Sequence, residues 1–505
     1  MRSNRFHHLL IHTAFFAFAL GFISVFLLRY VQTTKAQDVT EALNKTKPNI
    51  ILILADDLDK DSIQYMPKLK QLLTDKGVSF DNYFVSLSLC CPSRVTTLRG
   101  QYAHNHTIIS NGLPNGGFTK AYTSGIEKST VATWLKNANY DTVLIGKYLN
   151  KYPDGAKDNY IPPGWTQWFG SVGGGTDGYD HWINENGTVV HYTSTDDYAT
   201  DVYSRLAVRF IKNSGNKPFF LYIAPNAPHN PATPAKRHED LFPNIQTPQT
   251  PSFNEEDVSD KPEWVKSLPL LSLDTITNMD LQYRNRIRSL QAVDDMIEKI
   301  VFALTKNGKL DNTYIFFTSD NGFHMGQHRL GPGKNSPYEE DIRLPLIVRG
   351  PKVTPNTTES ALAGNVDLAP TFARLAGAKI PSFVDGRSFA SYVGVGKRVP
   401  PAEWRQEFLI ECYADTPDTA DETPYAEPAG GVAKPAFSAI RSQNFMFIEY
   451  ANGEKEYYDL SIDPYQLDNK ASSLNPDMLT KFSAKVNELK TCTSDACRNE
   501  ETKLP

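Results

Sequence analysis

The sequence predicts an α/β fold: a large, mostly parallel or mixed sheet flanked by helices, with a small C-terminal α+β subdomain. Three observations predict it. Continuous apolar, β-branched runs recur along the chain, stretches of helical periodicity separate them, and beyond about residue 405 the pattern changes. The runs are Asn49–Ala55, Asp141–Ile145, Pro218–Ala224, Thr313–Thr318 and Leu344–Arg349. Lacking polar alternation, they read as strands buried on both faces. Tyr198, Val202, Leu206 and Phe210 recur every four residues as one helical stripe. Leu290, Val293, Ile297, Ile300 and Leu304 mark a longer helix that stops near Gly308. In the C-terminal part, Asn444–Tyr450, Asn452-Gly453 and Lys455–Leu460 read as a hairpin, and Met478–Leu489 as a helix. Pro153–Tyr192, Pro243–Pro269 and Thr416–Pro435 read as long loops.

Before these elements, Leu9 to Leu28 is apolar apart from His12, Thr13, Gly21 and Ser24, and Arg2 and Arg5 precede it. Its length is near the roughly 20 residues that span a bilayer. Residues 1–36 are therefore expected to be a signal peptide, cleavable after Thr34-Lys35-Ala36, or a type II signal-anchor. Either places the rest of the chain in the lumen or outside, with membrane contact only through this segment if it is uncleaved. The sequons at Asn44, Asn105, Asn186 and Asn356 agree with a glycoprotein of the secretory pathway. Residues 37–47 read as a linker, 48–400 as the main α/β domain and 401–505 as the C-terminal subdomain.

Composition narrows the function. Of 505 residues, 40% are hydrophobic and 22% charged, which excludes disorder over most of the length. Mean hydropathy of −0.41 excludes a multi-span membrane protein. A net charge of −5 argues against a nucleic-acid partner held by bulk positive charge. Five cysteines are too few for a disulfide scaffold, and the count is odd.

In a parallel α/β sheet, ligands bind beyond the carboxyl ends of the strands. Those ends carry Asp56-Asp57, Gly146-Lys147, Asn226-Ala227-Pro228-His229 and Asp320-Asn321-Gly322. Asp56, Asp57, Asp320 and Asn321 are hard oxygen ligands that suit Ca²⁺, with Mg²⁺ the alternative, rather than zinc or copper. Three packed carboxylates repel one another without a cation. Cys90 precedes Pro92, which suits a first helical turn, and Gly100 suits the end of that helix, so Cys90 lies where free N–H groups favour an anion.

Cys90-x-Pro92-Ser93-Arg94 with Leu98-x-Gly100 resembles the signature of the sulfatases, alkaline-phosphatase-like hydrolases whose first signature cysteine is oxidised to Cα-formylglycine. Pro48 to Asp57, Gly146-Lys147, Thr318 to Gly322, Gly333-Lys334 with Tyr338-Glu339, Val366 to Thr371, Asp385 to Ser388, and Tyr458 to Leu460 with Asp463-Pro464 resemble further landmarks. The likeness spans roughly residues 47 to 470 and is similar to the arylsulfatase and N-acetylglucosamine-6-sulfatase branch.

The resemblance implies an arylsulfatase that hydrolyses sulfate esters through a formylglycine hydrate and one divalent cation. N-acetylglucosamine-6-sulfatase action on sulfated glycans is the alternative. Phosphate-ester hydrolysis and an inactive glycan-binding relative rank lower. The resemblance also implies a maturation partner that generates formylglycine. Its metal set is Asp56, Asp57, Cys90, Asp320 and Asn321. Lys147 and Lys334 bind sulfate, Arg94 holds the hydrate, His229 assists the leaving group, and His328 contacts substrate. Where many sulfatases place a histidine two residues after the first lysine, this chain has Tyr148, Leu149 and Asn150, so the base that releases sulfate is open among Asn150, His104, His106 and water. With Cys90 converted, four thiols remain, and the expected pairs are Cys492–Cys497 and Cys91–Cys412. Trp165, Trp168, Tyr179 and Trp182 are candidates either for stacking on substrate or for packing.

Overall fold

The computed structural model describes residues 47–175, 178–414 and 432–504. The expected targeting segment, the Asn44 sequon and nearly all of the Thr416–Pro435 loop lie outside them. Among the described residues no helix is long and apolar enough to cross a membrane.

Among the described residues sixteen strands are found: β1 (Asn49–Ala55), β2 (Val78–Phe80), β3 (Tyr83–Phe84), β4 (Asp141–Gly146), β5 (Gln167–Ser171), β6 (His181–Glu185), β7 (Thr188–Tyr192), β8 (Phe219–Ala224), β9 (Thr313–Ser319), β10 (Leu346–Arg349), β11 (Thr357–Glu359), β12 (Ala363–Gly364), β13 (Glu407–Cys412), β14 (Phe437–Ser442), β15 (Phe445–Tyr450) and β16 (Lys455–Asp459). Ten of them form one mixed sheet in the order β11-β2-β10-β9-β1-β8-β4-β5-β6-β7. The five runs read from sequence are its contiguous centre, with β1 parallel to both β8 and β9 and β4 parallel to β8. β10 is antiparallel to β9.

Burial on both faces explains the unbroken apolar runs. Ile50, Leu52 and Leu54 pack on one face against Val95 and Leu98 of the Cys90–Arg99 helix and Phe372 of the Leu368–Ala376 helix. Ile51 and Ile53 pack on the other against the helices Ala199–Asn213 and Leu273–Lys306. Successive strand side chains alternate between faces, so each face of β1 buries its own apolar row.

One expectation changes here. The segment read as a loop from Pro153 to Tyr192 contains β5, β6 and β7, which extend the sheet to one edge. Its Trp165 and Trp168 are buried core, whereas Trp182 is 47% exposed and stacks on His191. The C-terminal hairpin is the β15–β16 half of a four-stranded antiparallel sheet, backed by the Pro476–Leu489 helix. That sheet shares one apolar cluster with Phe84, Tyr102, Trp264 and Tyr338 of the preceding region, so the described chain from Pro48 is one compact unit.

Cys492 and Cys497 form the expected disulfide. The second expected pair does not form. Cys91 and Cys412 are separate buried thiols in different apolar clusters, one under the central sheet and one under the C-terminal sheet. Among the sequons, Asn186 and Asn356 are exposed, while the Asn105 amide donates to Asp385 and to the Cys492 carbonyl at 2.8 and 3.0 Å.

Glu127 yields a stability prediction. It is 3% exposed and accepts hydroxyl bonds from Tyr148 and Tyr160. Burial outweighs those bonds and pushes its carboxyl up to about 7. A carboxyl with a raised folded pKa binds its proton more tightly in the native state. Stability is therefore lost as pH rises from the ordinary value near 4.5 through about 7. Glu127→Gln is expected to abolish that loss, gaining up to about 3 kcal/mol at pH 8 relative to pH 5. Urea unfolding at the two pH values checks it, and parallel pH profiles for wild type and variant would refute it.

Candidate active site

The site is assembled at the carboxyl ends of β1, β4, β8 and β9. Asp56 and Asp57 follow β1, Lys147 follows β4, His229 lies on the turn after β8, and Asp320 and Asn321 follow β9. The Cys90–Arg99 helix brings Cys90 to the same rim as its first residue, and it ends on Gly100 at φ 67°. A Cβ on Gly100 would lie 3.0 Å from Pro370 and Val384, so both conformation and space call for glycine. Gly146 has φ 100°, and a Cβ there would lie 2.2 Å from the Ala224 carbonyl. That close approach turns the backbone so that Lys147 enters the site.

One ligand atom from each of Asp56, Asp57, Cys90 and His229 lies within 4.8 Å of the others. Cys90 Sγ is 3.6 Å from Asp56 Oδ1 and 3.8 Å from Asp57 Oδ1. Lys334 Nζ sits 2.7 Å from Cys90 Sγ and 2.8 Å from Asp57 Oδ1. Lys147 Nζ is 2.6 Å from Asp56 Oδ2. Arg94, fully buried, donates through Nε to Asp320 Oδ2 at 2.8 Å and through Nη1 to the Lys147 carbonyl at 3.0 Å; Nη2 is 3.5 Å from Asp56. Arg94 therefore acts behind the carboxylates, holding Asp56 and Asp320.

Electrostatics follow from this layout. Burial works to raise the Asp56 carboxyl, but Lys147 and then Arg94 outweigh it and hold it far below the usual range. Asp320 is pushed up to about 6 by burial and then by the neighbouring Asp56 charge. Asp57 stands at φ 62°, an unusual value for a residue with a Cβ. Its N–H donates to Asp320 Oδ1 at 3.1 Å, and its carbonyl accepts from Arg286. Arg286 also donates to the Pro228 carbonyl at 3.1 Å, so one guanidinium ties the β1 and β8 turns together.

The donor set fits a hard divalent cation. Asp56, Asp57, Asp320 and Asn321 offer oxygen, and Asn321 Oδ1 is buried beside them without a hydrogen-bond partner among the described residues. Asn321 Nδ2 meanwhile donates to Asp57 Oδ1 at 2.6 Å. An acceptor buried unpaired among carboxylates is what a cation would satisfy.

Other expected residues are placed elsewhere. His328 is fully buried, with Nδ1 2.6 Å from Glu255 and its ring against Tyr338, a packed setting rather than a substrate-facing one. His104 is held between Glu411 and the Cys492 carbonyl, and His106 between Thr96 Oγ1 and the Ile108 N–H. Burial lowers His106 to about 3. Both candidate bases are thus tied into structure. Tyr148 points into the core toward Glu127, and the Asn150 carbonyl accepts from the Phe118 N–H.

Two contributors have no strand-end signal in the sequence. Arg286 lies in the middle of a 34-residue helix. His324 pairs in backbone with Gly333 and bonds Asp341 at 2.9 Å, bracing the loop that carries Lys334. For His324, its place three residues after Asn321 was the available signal.

The sulfatase family profile matches residues 48–378. The chain belongs to the sulfatase family. A second profile, the C-terminal region of N-sulphoglucosamine sulphohydrolase, matches residues 326–491. The sulfatase is 33% identical to an N-acetylglucosamine-6-sulfatase of Capra hircus over 485 residues, covering 90% of this chain and 86% of that one. It is also 33% identical to an arylsulfatase of Volvox carteri, covering 91% and 77%. Its fold matches a solved structure described as bound to its substrate D-glucosamine-2-N,6-O-disulfate, with TM-score 0.69, 24% identity and coverage of 91% and 100%. The sulfatase is a sulfuric ester hydrolase.

Proposed function

We propose that the sulfatase cleaves sulfate esters through a formylglycine derived from Cys90, assisted by one divalent cation, Ca²⁺ by donor chemistry with Mg²⁺ second. The observation that carries this reading is the placement of Cys90 Sγ against Asp56, Asp57 and Lys334. The thiol stands where an oxygen on the oxidised Cβ would be. The hydrated aldehyde supplies one hydroxyl to attack sulfur and a second whose deprotonation expels sulfate. Asp56, Asp57, Asp320 and Asn321 would hold the cation, which supplies positive charge beside the nucleophile.

Lys147 and Lys334 bind sulfate oxygens as point charges and stabilise charge that grows as the ester bond breaks. Arg94 keeps Asp56 and Asp320 in register. His229 Nδ1 donates to the Asn230 carbonyl at 2.7 Å, which leaves Nε2, 3.7 Å from Asp57 Oδ2, to carry the exchangeable proton. Nε2 protonates the departing alcohol oxygen and then takes a proton in the half-reaction that frees sulfate. This fills the role left open by the missing histidine after Lys147.

Aryl sulfates are proposed as substrates, with glucosamine-6-sulfate glycans the second reading, supported by the goat relative's name. A secretory location, as a secreted, lumenal or anchored glycoprotein carrying glycans at Asn186 and Asn356, accords with the N-terminal segment. Maturation by a formylglycine-generating partner is part of the same proposal.

Peptide mass spectrometry is expected to find an aldehyde in place of the Cys90 thiol; an unmodified thiol in active protein would sink the reading. Chelated protein given Ca²⁺ at about 100 times its Kd is expected to gain about 3 kcal/mol of stability and to recover turnover of an aryl sulfate. Turnover of the matching aryl phosphate is expected to stay roughly 100-fold lower, a difference of about 2.7 kcal/mol. Calorimetry and paired assays check both, and a preference for Zn²⁺ or for phosphate would point to the phosphatase-like rival.

A further inference from the structure

The two exposed sequons stand at the two edges of the ten-stranded sheet. Its order begins with β11 and ends with β7, so these are its edge strands. Asn186 and Gly187 form the turn between β6 and β7, and the sequon threonine, Thr188, opens β7. Asn356 immediately precedes β11, and its sequon threonine, Thr358, is the middle residue of that strand. An edge strand offers N–H and C=O groups on which another chain can pair, and proteins blunt it with brevity, Lys, Pro or cover. β11 is blunted in this way. It has three residues, Pro355 stands two positions before it, and its Glu359 is tied to Arg398 at 2.6 Å. β7 is not. Its five residues contain no Lys, Pro or acidic group; Thr188 and His191 are exposed and the other three half-buried. Beside it the exposed Trp182 ring stacks on His191 at 3.8 Å, which adds an open aromatic surface.

Register decides which backbone groups of β7 are open. Asn186 and Gly187 have φ 51° and 95°, the signs of a two-residue turn that closes on a hydrogen-bonded Glu185–Thr188 pair. Bonded pairs alternate along an antiparallel ladder, so Ile183–Val190 and His181–Tyr192 are the next two. Thr188, Val190 and Tyr192 therefore bond β6, while Val189 and His191 turn their N–H and C=O groups outward. That pattern is self-complementary. A second copy laid antiparallel about a two-fold axis at Val190 sets Val189 opposite His191 and Thr188 opposite Tyr192, and no like charges face each other.

The same register brings Asn186 of one copy beside Ser194 of the other, where the second chain runs on past its Tyr192. Asn186 is exposed at the hairpin tip. Its Oδ1 accepts the Trp168 N–H at 2.8 Å, and its Nδ2, the atom that would carry a glycan, has no hydrogen-bond partner among the described residues. Asn105 differs, because its Nδ2 is engaged by Asp385 and the Cys492 carbonyl. A glycan is bulky and hydrated. On Asn186 it would occupy the space that the second copy needs.

We propose that β7 is a self-pairing edge and that a glycan on Asn186 keeps it closed: the glycosylated chain is a monomer, and the bare chain pairs its β7 with the β7 of a second copy. This rests on the secretory glycoprotein reading above and gives one of its two glycans a task. The glycan on Asn356 has no such task, because β11 is blunted without it.

The test is sedimentation velocity over a range of concentrations, on protein expressed through a eukaryotic secretory pathway, after glycopeptide mass spectrometry has measured occupancy at Asn186. Thr188→Ala removes the sequon and keeps the Asn186 amide. Wild type is expected to sediment as a monomer, and Thr188→Ala to approach about twice that mass as concentration rises. Enzymatic removal of the glycans from folded wild type is expected to do the same without a substitution. Val189→Pro, added to Thr188→Ala, removes an outward N–H without touching a bond to β6 and is expected to restore the monomer. Thr358→Ala, which strips the β11 sequon, is expected to stay monomeric. Monomers in both Thr188→Ala and deglycosylated wild type would overturn the proposal. So would equal association in Thr358→Ala, which marks a general loss of solubility, or association that Val189→Pro leaves unchanged. Wild type secreted with no glycan at Asn186 would instead refute the glycoprotein reading itself.

Discussion

Cys90→Ser is expected to lower steady-state sulfate-ester turnover on the order of 10⁴-fold while leaving the fold intact. Serine is close to cysteine in size, and the side chain at position 90 is fully buried at the start of its helix. The walls around it are held by contacts that do not involve its thiol. Arg94 ties to Asp320 and Lys147, and Arg286 ties to Asp57 and Pro228. The serine hydroxyl still faces Lys334, so a slow first attack on the ester remains available. On the proposed formylglycine reading, what is lost is the second oxygen that the hydrate carries on the same carbon, whose proton drives sulfate out. Release of about one equivalent of alcohol followed by arrest, with sulfate retained on the peptide carrying residue 90, is the expected pattern. Rapid-quench measurement of alcohol against sulfate, with peptide mass spectrometry, checks it. Sustained turnover with both products released in step would remove Cys90 from the mechanism.

Arg405→Met is expected to cost about 3–5 kcal/mol of unfolding free energy, because it strips the shared counter-ion from two buried carboxylates. Arg405 is itself buried and donates to Asp367 Oδ1 at 2.9 Å and to Glu501 Oε2 at 2.8 Å. Asp367 in turn accepts the backbone N–H groups of Gly364 and Arg387 at 2.9 and 2.8 Å. Glu501 also accepts from Arg387 at 2.8 Å and from the Tyr102 hydroxyl. This network staples the C-terminal segment to the region just after the signature helix. Burial works to raise the Glu501 carboxyl, but Arg405 and Arg387 outweigh it and hold it lowered. Removing Arg405 leaves two charges that must be protonated or hydrated. Arg405→Lys keeps one charge without the forked geometry and is expected to fall between wild type and the methionine variant. Urea unfolding monitored by tryptophan fluorescence measures the difference, and a loss below about 1 kcal/mol in Arg405→Met would show that the network is not a stabilising unit.

The legible parts of the fold share one property. β1, β4, β8, β9 and β10 are buried on both faces, so their sequences are unbroken apolar runs that no surface element imitates. The strands β5 to β7, which run out to one edge of the sheet, lack that mark. Thr188–Tyr192 is exposed or half-exposed along its length, and Gln167–Ser171 sits between Pro162-Pro163 and Gly173 to Gly175, where turn residues mask the strand. β2 and β11 have three residues each, too few to show a period.

The site divides in the same way. Asp56, Asp57, Lys147, His229, Asp320 and Asn321 were legible because a parallel sheet delivers its strand ends to one rim, and Cys90 because its neighbours form a recognisable motif. Arg286 was not, because its partners Asp57 and Pro228 lie 229 and 58 positions away and its helical setting resembles any buried arginine. The histidines show the limit most directly. His104, His106 and His328 are the same residue type as His229, yet Glu411, Thr96 and Glu255 engage them while His229 Nε2 faces Asp57.

Residues 90–100 carry their chemistry in their own order: a proline for the first helical turn, an arginine one turn on, a glycine to end it. The same holds for the strand runs and the acidic pairs that follow them, because local periodicity and local residue type suffice to specify them. Which thiols pair is different. Cys492 and Cys497 are five residues apart and close a loop on themselves, whereas Cys91 and Cys412 are consigned to separate apolar clusters by the packing of two sheets. Which histidines are engaged by structural partners, and which one faces Asp57, is likewise decided by residues far away in the chain. Those contacts exist only once the sheet has closed, because burial and hydrogen-bond satisfaction depend on neighbours that sequence order does not supply.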